Sequence, residues 1–325
     1  MSQSAVRVVV RFHGTRGSVP TPDPETARCG GNTSCVEVET PTGRRIILDA
    51  GTGIRRLARS GTRTFRGPDR ASANGAGTHG QPHPPAPEDR HDLDFFLTHF
   101  HWDHVQGLPF HPRLHDPDAI VRIHAPRQDD LGIDELLGGR LAPVYFPVPL
   151  SGLAARLSAR ALEDGRWCHD DAQVDSTRVD HPSSTHGLRV RSAGAAIVYV
   201  PDNELVPGTA AYERVADFAA GADLLIHDAM YTTGEYAGRR GWGHSTFAEA
   251  VRFAERAGVR ALRLFHHHPD RSDAALYRIL HAVRRDLRRR GSSLDVDLAR
   301  EGEAVTLPAP ADRPATPASD RPSRS

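Results

Sequence analysis

The chain has 325 residues, 41 of them basic and 41 acidic, with 38% hydrophobic and 25% charged residues. That balance supports a buried core and excludes a chain disordered throughout. No apolar run approaches the ~20 residues of a membrane-spanning helix, and three cysteines (Cys29, Cys35, Cys168) are too few for a disulfide framework. The opening MSQSAVRVVVRFHG lacks the apolar stretch and small-residue cleavage site of a secretory leader. The expectation is a reduced, cytoplasmic protein with no membrane association. Every basic side chain is arginine, which reads as compositional bias. The 19 histidines are partly clustered, and imidazole is the commonest metal ligand among side chains.

In chain order, residues 6–12, 35–40 and 45–50 read as strands, and their short connections point to antiparallel pairing. Residues 61–91 are rich in Gly, Pro and His without apolar periodicity and read as a long flexible insert; His79 and His83 in it read as solvated. Residues 93–98, 120–125, 196–201, 224–227 and 261–266 read as further strands, the later ones alternating with helices as in layered α/β folds. A helix opens at Ser245 or Thr246, with Glu249 completing a capping box to Thr246. Phe247, Ala250, Val251 and Ala254 share its apolar face, and Gly258 stops it. A second helix begins near Ser272 and aligns Leu276, Ile279, Leu280, Val283 and Leu287. Its basic end, RRDLRRRG, reads as arginines complementing the helix dipole in preference to a nucleic-acid patch. Residues 307–325 read as a disordered tail.

The densest chemistry lies in Leu97-Thr98-His99-Phe100-His101-Trp102-Asp103-His104. On extended backbone His99, His101 and Asp103 project to one side, and His104 follows where the chain turns. Imidazole and carboxylate without thiolate suit zinc, manganese or iron. One segment cannot fill two coordination spheres, so further ligands are expected from strand ends. Asp49, His181, Asp202 and His266 sit at such places, with His186 the alternative to His181. The glycine-rich stretches 14–18 and 30–34 read either as anion-cradling loops or as tight turns.

Taken together, Gly14-Thr15-Arg16-Gly17-Ser18, Gly30-Gly31-Asn32-Thr33-Ser34, Leu48-Asp49-Ala50-Gly51, the His99–His104 motif, Tyr199-Val200-Pro201-Asp202, Gly243-His244-Ser245-Thr246 and Leu264-Phe265-His266 resemble, in order, the metallo-β-lactamase fold superfamily. The branch resembled is that of ribonuclease Z, cyclic-nucleotide phosphodiesterases and phosphoribosyl cyclic phosphodiesterase. The resemblance implies an α/β fold, a four-layer αββα sandwich, over residues 1–306. It implies two divalent metal ions, zinc foremost and manganese as the alternative. His99, His101 and His181 would hold one, Asp103, His104 and His266 the other, and Asp202 would bridge them. His266 is preferred to His267 and His268 because it directly follows the apolar strand. Asp49 would accept N–H bonds that orient ligand histidines.

A bridging water would be acidified to the attacking hydroxide, with Asp103 and His244 as the catalytic pair of the site. His244 would assist the leaving group, the alternative being a helix cap. Trp102 and Trp242 read either as stacking surfaces or as core packing. The resulting expectation is a binuclear phosphodiesterase acting on a small or cyclic phosphodiester. Its rivals are transfer-RNA 3′ processing, lactam or thioester hydrolysis, and a non-enzymatic His-rich metal-binding protein. Zero net charge and the lack of a long basic arm weigh against an RNA partner; a homodimer is expected from the resemblance alone.

Overall fold

The computed structural model describes residues 7–60, 92–128, 131–140, 146–149, 152–163, 166–169 and 171–308. Period-2 alternation of apolar side chains builds two seven-stranded sheets. The first is formed by β1 (Arg7–Gly14), β2 (Cys35–Glu39), β3 (Arg45–Leu48), β4 (Asp92–Phe96), β5 (Ile120–Ala125) and β6 (Arg156–Ala161), with the last strand of the chain added beside β1. The second runs from β7 (Arg166–His169) through β8 (Ala172–Arg178), β9 (His186–Ser192), β10 (Ala195–Val200), β11 (Leu224–Asp228) and β12 (Ala261–Phe265) to β13 (Asp295–Leu298). The strand beside β1 is β14 (Ala304–Pro308).

Each sheet is antiparallel in its earlier strands and parallel in its later ones: β3 to β6 in the first, β10 to β13 in the second. Val10, Phe12, Val38, Ile46 and Leu48 face Val190, Ile197, Tyr199, Ile226 and Phe265 across the interface between the sheets. The alternate residues point outward. Ile47, Phe95, Val121 and Ile123 pack under α1 (Ile54–Ser60), α2 (Trp102–Val105) and α3 (Ile133–Arg140). Val198, Val200, Leu225, Leu262 and Leu264 pack under α4 (Ala210–Ala219), α6 (Phe247–Arg256) and α7 (Asp273–Arg290), with the single turn α5 (Thr233–Tyr236) between α4 and α6. The layers are therefore αββα, as the resemblance implied.

All eight strands read from the sequence are present within two residues of their expected ends. Six were not foreseen: β6 to β9, β13 and β14. Their outward positions carry Arg156, Arg160, Gln173, Asp175, Arg189 and Arg191, which breaks the apolar runs that mark buried strands. Leu307 and Pro308, expected in the tail, instead pair with Val8 and Arg7 of β1. Residues 309–325, and the insert 61–91 with His79 and His83, lie outside the described residues.

Thr246 caps α6 by accepting from the Glu249 amide at 3.0 Å. The capping box is not closed, because the Glu249 carboxylate turns to Arg252 and Tyr212. Ser272 caps α7, and Gly291 ends it at φ 68°. At that end Arg289 and Arg290 pair with Asp286, and Arg290 also with Glu255. No helix among the described residues is long and apolar enough to cross a membrane.

Candidate metal centre

The carboxyl ends of β3, β4, β10, β11 and β12 meet at one edge of the sandwich, where chain direction aims whatever follows each strand at a common point. Asp49 follows β3, the His99–His104 turn follows β4, Asp202 follows β10, Asp228 closes β11 and His266 follows β12. Asp49 and His266 both leave their strands with left-handed backbone, at φ 60° and 56°. Non-glycine residues adopt that conformation at a cost of roughly 1–3 kcal/mol, and it persists where surrounding contacts hold it. For His266 the holding contacts are in the next residue: the His267 amide donates to Thr15, its carbonyl accepts from Gly17, and its Nε2 donates to Ala299. A Cβ on Gly17 would lie 2.4 Å from the His266 ring, so the close approach requires glycine there.

The side chains converge in three overlapping groups. His99, His101, His181 and Asp202 form the first, Asp103, His104 and His266 the second, and Asp202, His244 and His266 the third. Asp202 stands between the first two. Its Oδ2 lies 3.7 Å from Nε2 of both His99 and His181. Its Oδ1 lies 3.2 Å from His104 Nε2 and 3.1 Å from His266 Nε2. Asp103 Oδ2 is 3.2 Å from His104 Nε2 and 3.1 Å from His266 Nε2, and it also accepts the Ser18 amide at 2.8 Å. His101 Nδ1 and His181 Nε2 approach to 3.3 Å.

His186 is held elsewhere, at the start of β9, its amide donating to Thr98. His267 and His268 likewise fall outside these groups among the described residues. His111 and His124 are buried away from the centre, against Phe95 and Phe96. The 14–18 and 30–34 stretches are tight turns tied together by Arg16, whose buried guanidinium donates to the carbonyls of Gly30, His268 and Arg271.

Behind the ligand-type groups, Asp49 organises the imidazoles. It accepts His104 Nδ1–H at 2.7 Å, the Thr98 amide at 2.7 Å and the Tyr199 hydroxyl at 2.9 Å. The Thr98 hydroxyl bonds Asp49 and stands 3.1 Å from His99 Nδ1. Both histidines thereby present Nε2 to the centre. Burial, with the neighbouring His104, holds His99 well below the usual imidazole pKa, which keeps it neutral and electron-donating. The buried Nε2 atoms of His99 and His104 and Oδ1 of Asp202 have no hydrogen-bond partner of their own. Orphaned polar atoms at such depth are costly in a folded protein. Imidazoles and carboxylates converging in this way, without a thiolate, fit divalent cations.

His244 lies at the open side of the centre. Its ring stacks on His266 at 5.0 Å and stands 5.4 Å from His181. Its Nδ1–H donates to Asp228 at 2.8 Å. Burial opposes the charged form, but the Asp228 charge and hydrogen bond, with Asp202 and Asp103 beyond, raise its pKa to about 9. Thr246 is the helix cap, so His244 has no capping role.

Asp228, which accepts from His244, is a residue of the candidate site that sequence reasoning missed. It closes an apolar strand just as Asp49 and Asp202 follow theirs, and that pattern was the available signal. Trp102 and Trp242 are not core residues: they are 47% and 60% exposed.

Residues 44–267 match the family described as Beta-lactamase superfamily domain. Ribonuclease Z of Natronomonas pharaonis is 26% identical over 305 residues, covering 79% of this chain and 86% of that one. Ribonuclease Z of Pseudomonas putida is 51% identical over 210 residues, covering 53% of this chain and 66% of that one. Among solved structures, unliganded yeast PDE1 superposes with a TM-score of 0.66 at 16% identity, covering 93% of this chain and all of that one. A diphosphatase of the PhnP family superposes at 0.62 and 16%, covering 93% and 97%. At such identities the structural neighbours speak for the fold, and the match to the family speaks for descent. Given that match over most of its folded length, the chain belongs to the metallo-β-lactamase-fold superfamily of hydrolases.

Proposed function

We propose that this chain is a binuclear metal-dependent phosphodiesterase acting on small phosphodiesters, cyclic ones included. The carrying observation is Asp202, one oxygen turned toward each ligand group. His99, His101 and His181 would hold one ion, Asp103, His104 and His266 the other, with Asp202 shared. Two divalent ions, zinc foremost and manganese as the alternative, would acidify a water toward hydroxide and neutralise phosphate charge.

The protein's own contribution is alignment and proton supply. Asp49 and Thr98 fix the tautomers of His104 and His99, so neither ring can turn its N–H inward. Asp228 fixes His244 through Nδ1, which leaves Nε2–H to protonate the departing alkoxide. A proton donor at that position serves a poor alkoxide leaving group, which favours phosphate esters over thioesters, whose thiolate departs without a proton.

Purified protein loaded with zinc or manganese is expected to hydrolyse bis(p-nitrophenyl) phosphate, and chelation to abolish the reaction. Full metal occupancy without turnover across a panel of linear and cyclic phosphodiesters would overturn the proposal.

A second reading, transfer-RNA 3′ processing, is favoured by the relatives named ribonuclease Z, whose match extends over most of both chains. Against it stands a net charge of zero, since RNA binding draws its affinity from excess basic charge. Cleavage of a precursor transfer RNA at its 3′ trailer, at rates above those on small diesters, would replace the first reading by the second.

A further inference from the structure

Two residues after Asp202 the chain buries a carboxylate that faces neither ligand set. Glu204 is 7% exposed. One of its oxygens accepts the Gly241 amide at 2.9 Å and the Tyr236 hydroxyl at 2.6 Å; the other accepts the Gly243 amide at 3.0 Å. Hydrogen bonds to an ionised acceptor are stronger than those between neutral groups, so three donors on one carboxylate make a firm hold. Residues 241–243 belong to no helix or strand, and the amides of both their glycines end on this side chain.

What Glu204 holds is the acceptor that sets His181. The Gly243 carbonyl accepts His181 Nδ1–H at 3.0 Å. A carbonyl can only accept, so the proton sits on Nδ1 and the lone pair on Nε2. That Nε2 lies 3.7 Å from Asp202 Oδ2 and 3.3 Å from His101 Nδ1. Gly243 comes this close at φ +80°, where a Cβ would lie 2.1 Å from His181 Nδ1, so the approach requires glycine. The backbone before His181 rests on the same short segment. The Glu204 amide donates to the Asp180 carbonyl at 2.8 Å, and the Asp180 amide donates to Asn203 Oδ1 at 3.0 Å. On the other side of the centre Asp49 grips His104 directly; here the carboxylate stands one backbone carbonyl further back.

We propose that Glu204 is the positioning residue of His181: without touching an ion, it fixes the tautomer and orientation of that imidazole and so sets the metal affinity of His99, His101 and His181. This rests on the reading of His181 as a ligand of the first ion. Without the carboxylate the 241–243 turn loses two of its backbone anchors and the Gly243 carbonyl is free to leave the ring. His181 can then carry its proton on Nε2, where no lone pair remains for a metal.

The test uses the full chain and two readouts, neither of which needs turnover. The first is the histidine tautomer in the metal-free protein, read by long-range proton–nitrogen NMR correlation at a pH where free imidazole is neutral. His181→Asn identifies the His181 signals by their loss. Wild type is expected to show the Nδ1–H form alone, and Glu204→Ala a mixture of both tautomers. The second is zinc titration against a chelating dye. Glu204→Ala should weaken one of the two sites about 10- to 100-fold and leave the other unchanged. Glu204→Gln, whose side-chain carbonyl can still accept one of the two amides, should lie between wild type and Glu204→Ala in both readouts.

A pure Nδ1–H tautomer in Glu204→Ala, unchanged affinity at both sites or equal weakening of both would overturn the assignment. If circular dichroism shows that Glu204→Ala does not fold, Glu204→Gln decides by the same readouts, and wild-type behaviour in both would overturn it. If wild type binds no zinc, the metal-centre reading fails separately. The tautomer in the metal-free protein then still decides whether Glu204 holds His181, and the same tautomer with and without the carboxylate would refute it.

Discussion

The two halves of the molecule supply the centre in different ways. The first sheet delivers His99, His101, Asp103 and His104 from one turn after β4. The second delivers Asp202, Asp228 and His266 singly, each from the end of its own parallel strand. In the first half proximity is a property of the local chain: residues so close in sequence cannot be far apart. In the second half proximity exists only because register aligns Val200 with His227 and Asp228 with Phe265. The local half therefore rests on one turn, whereas the assembled half rests on the register of three neighbouring strands.

The largest effect should expose this asymmetry. Asp202→Ala removes the group that, among the described residues, faces both ligand sets, and is expected to lose both ions and all measurable phosphodiesterase activity. His101→Ala is expected to lose one ion and keep the other. Metal stoichiometry by elemental analysis separates the two outcomes; equal loss in both variants would break the comparison.

Next, on a diester with an alkoxide leaving group, His244→Ala should retain both ions yet lose about 10²- to 10⁴-fold in kcat, the range for removing a general acid. Asp228→Asn should follow it in direction with a smaller loss. Loss of metal in either variant would place His244 among the ligands instead, a role that its grouping with Asp202 and His266 makes chemically reachable.

A smaller effect is expected behind the ligands. Asp49→Asn keeps the shape but weakens the hold on His104 and Thr98, and should reduce metal affinity about 10- to 100-fold by competition with a chelating dye. An unchanged affinity would mean that the turn after β4 orients its own imidazoles without help from β3.

The smallest effect on activity is expected away from the centre, on the outer face of the first sheet, where the effect is on stability instead. Burial disfavours the Glu37 carboxylate, but hydrogen bonds from His13 and Arg45 and the Arg45 charge outweigh it, lowering its pKa from 4.5 to about 2. A depressed carboxylate stabilises the fold above its unfolded pKa, and that stabilisation fades as pH falls from about 4.5 toward 2. The contribution is on the order of 3 kcal/mol at neutral pH. Glu37→Gln should lower Tm at pH 7 and flatten its acid dependence, as followed by circular dichroism. A parallel downward shift at every pH would show that the ion pair is not the source.

Much of the centre was legible because ligand chemistry is written in residue type. The H-x-H-x-D-H run, Asp202 after an apolar strand and His266 before two further histidines could each be marked from the chain alone. The unforeseen strands β7 to β9 were hidden by their outward polar residues, and Glu249 was assigned to a capping box that Arg252 and Tyr212 compete away. Asp228 escaped because its task appears only once His244 is brought beside it from another loop.

By itself, then, the sequence determined the kinds of groups present, the strand ends that carry them and the dense turn that gathers four of them. Tertiary structure alone decided that Asp202 turns one oxygen to each set, that His181 and not His186 reaches the centre, and that Trp102 and Trp242 stay out of the core. The physical reason is that residue spacing fixes directions only within a few residues. Parallel register, left-handed turns at Asp49 and His266, and the close approaches at Gly17 and Gly243 fix the rest.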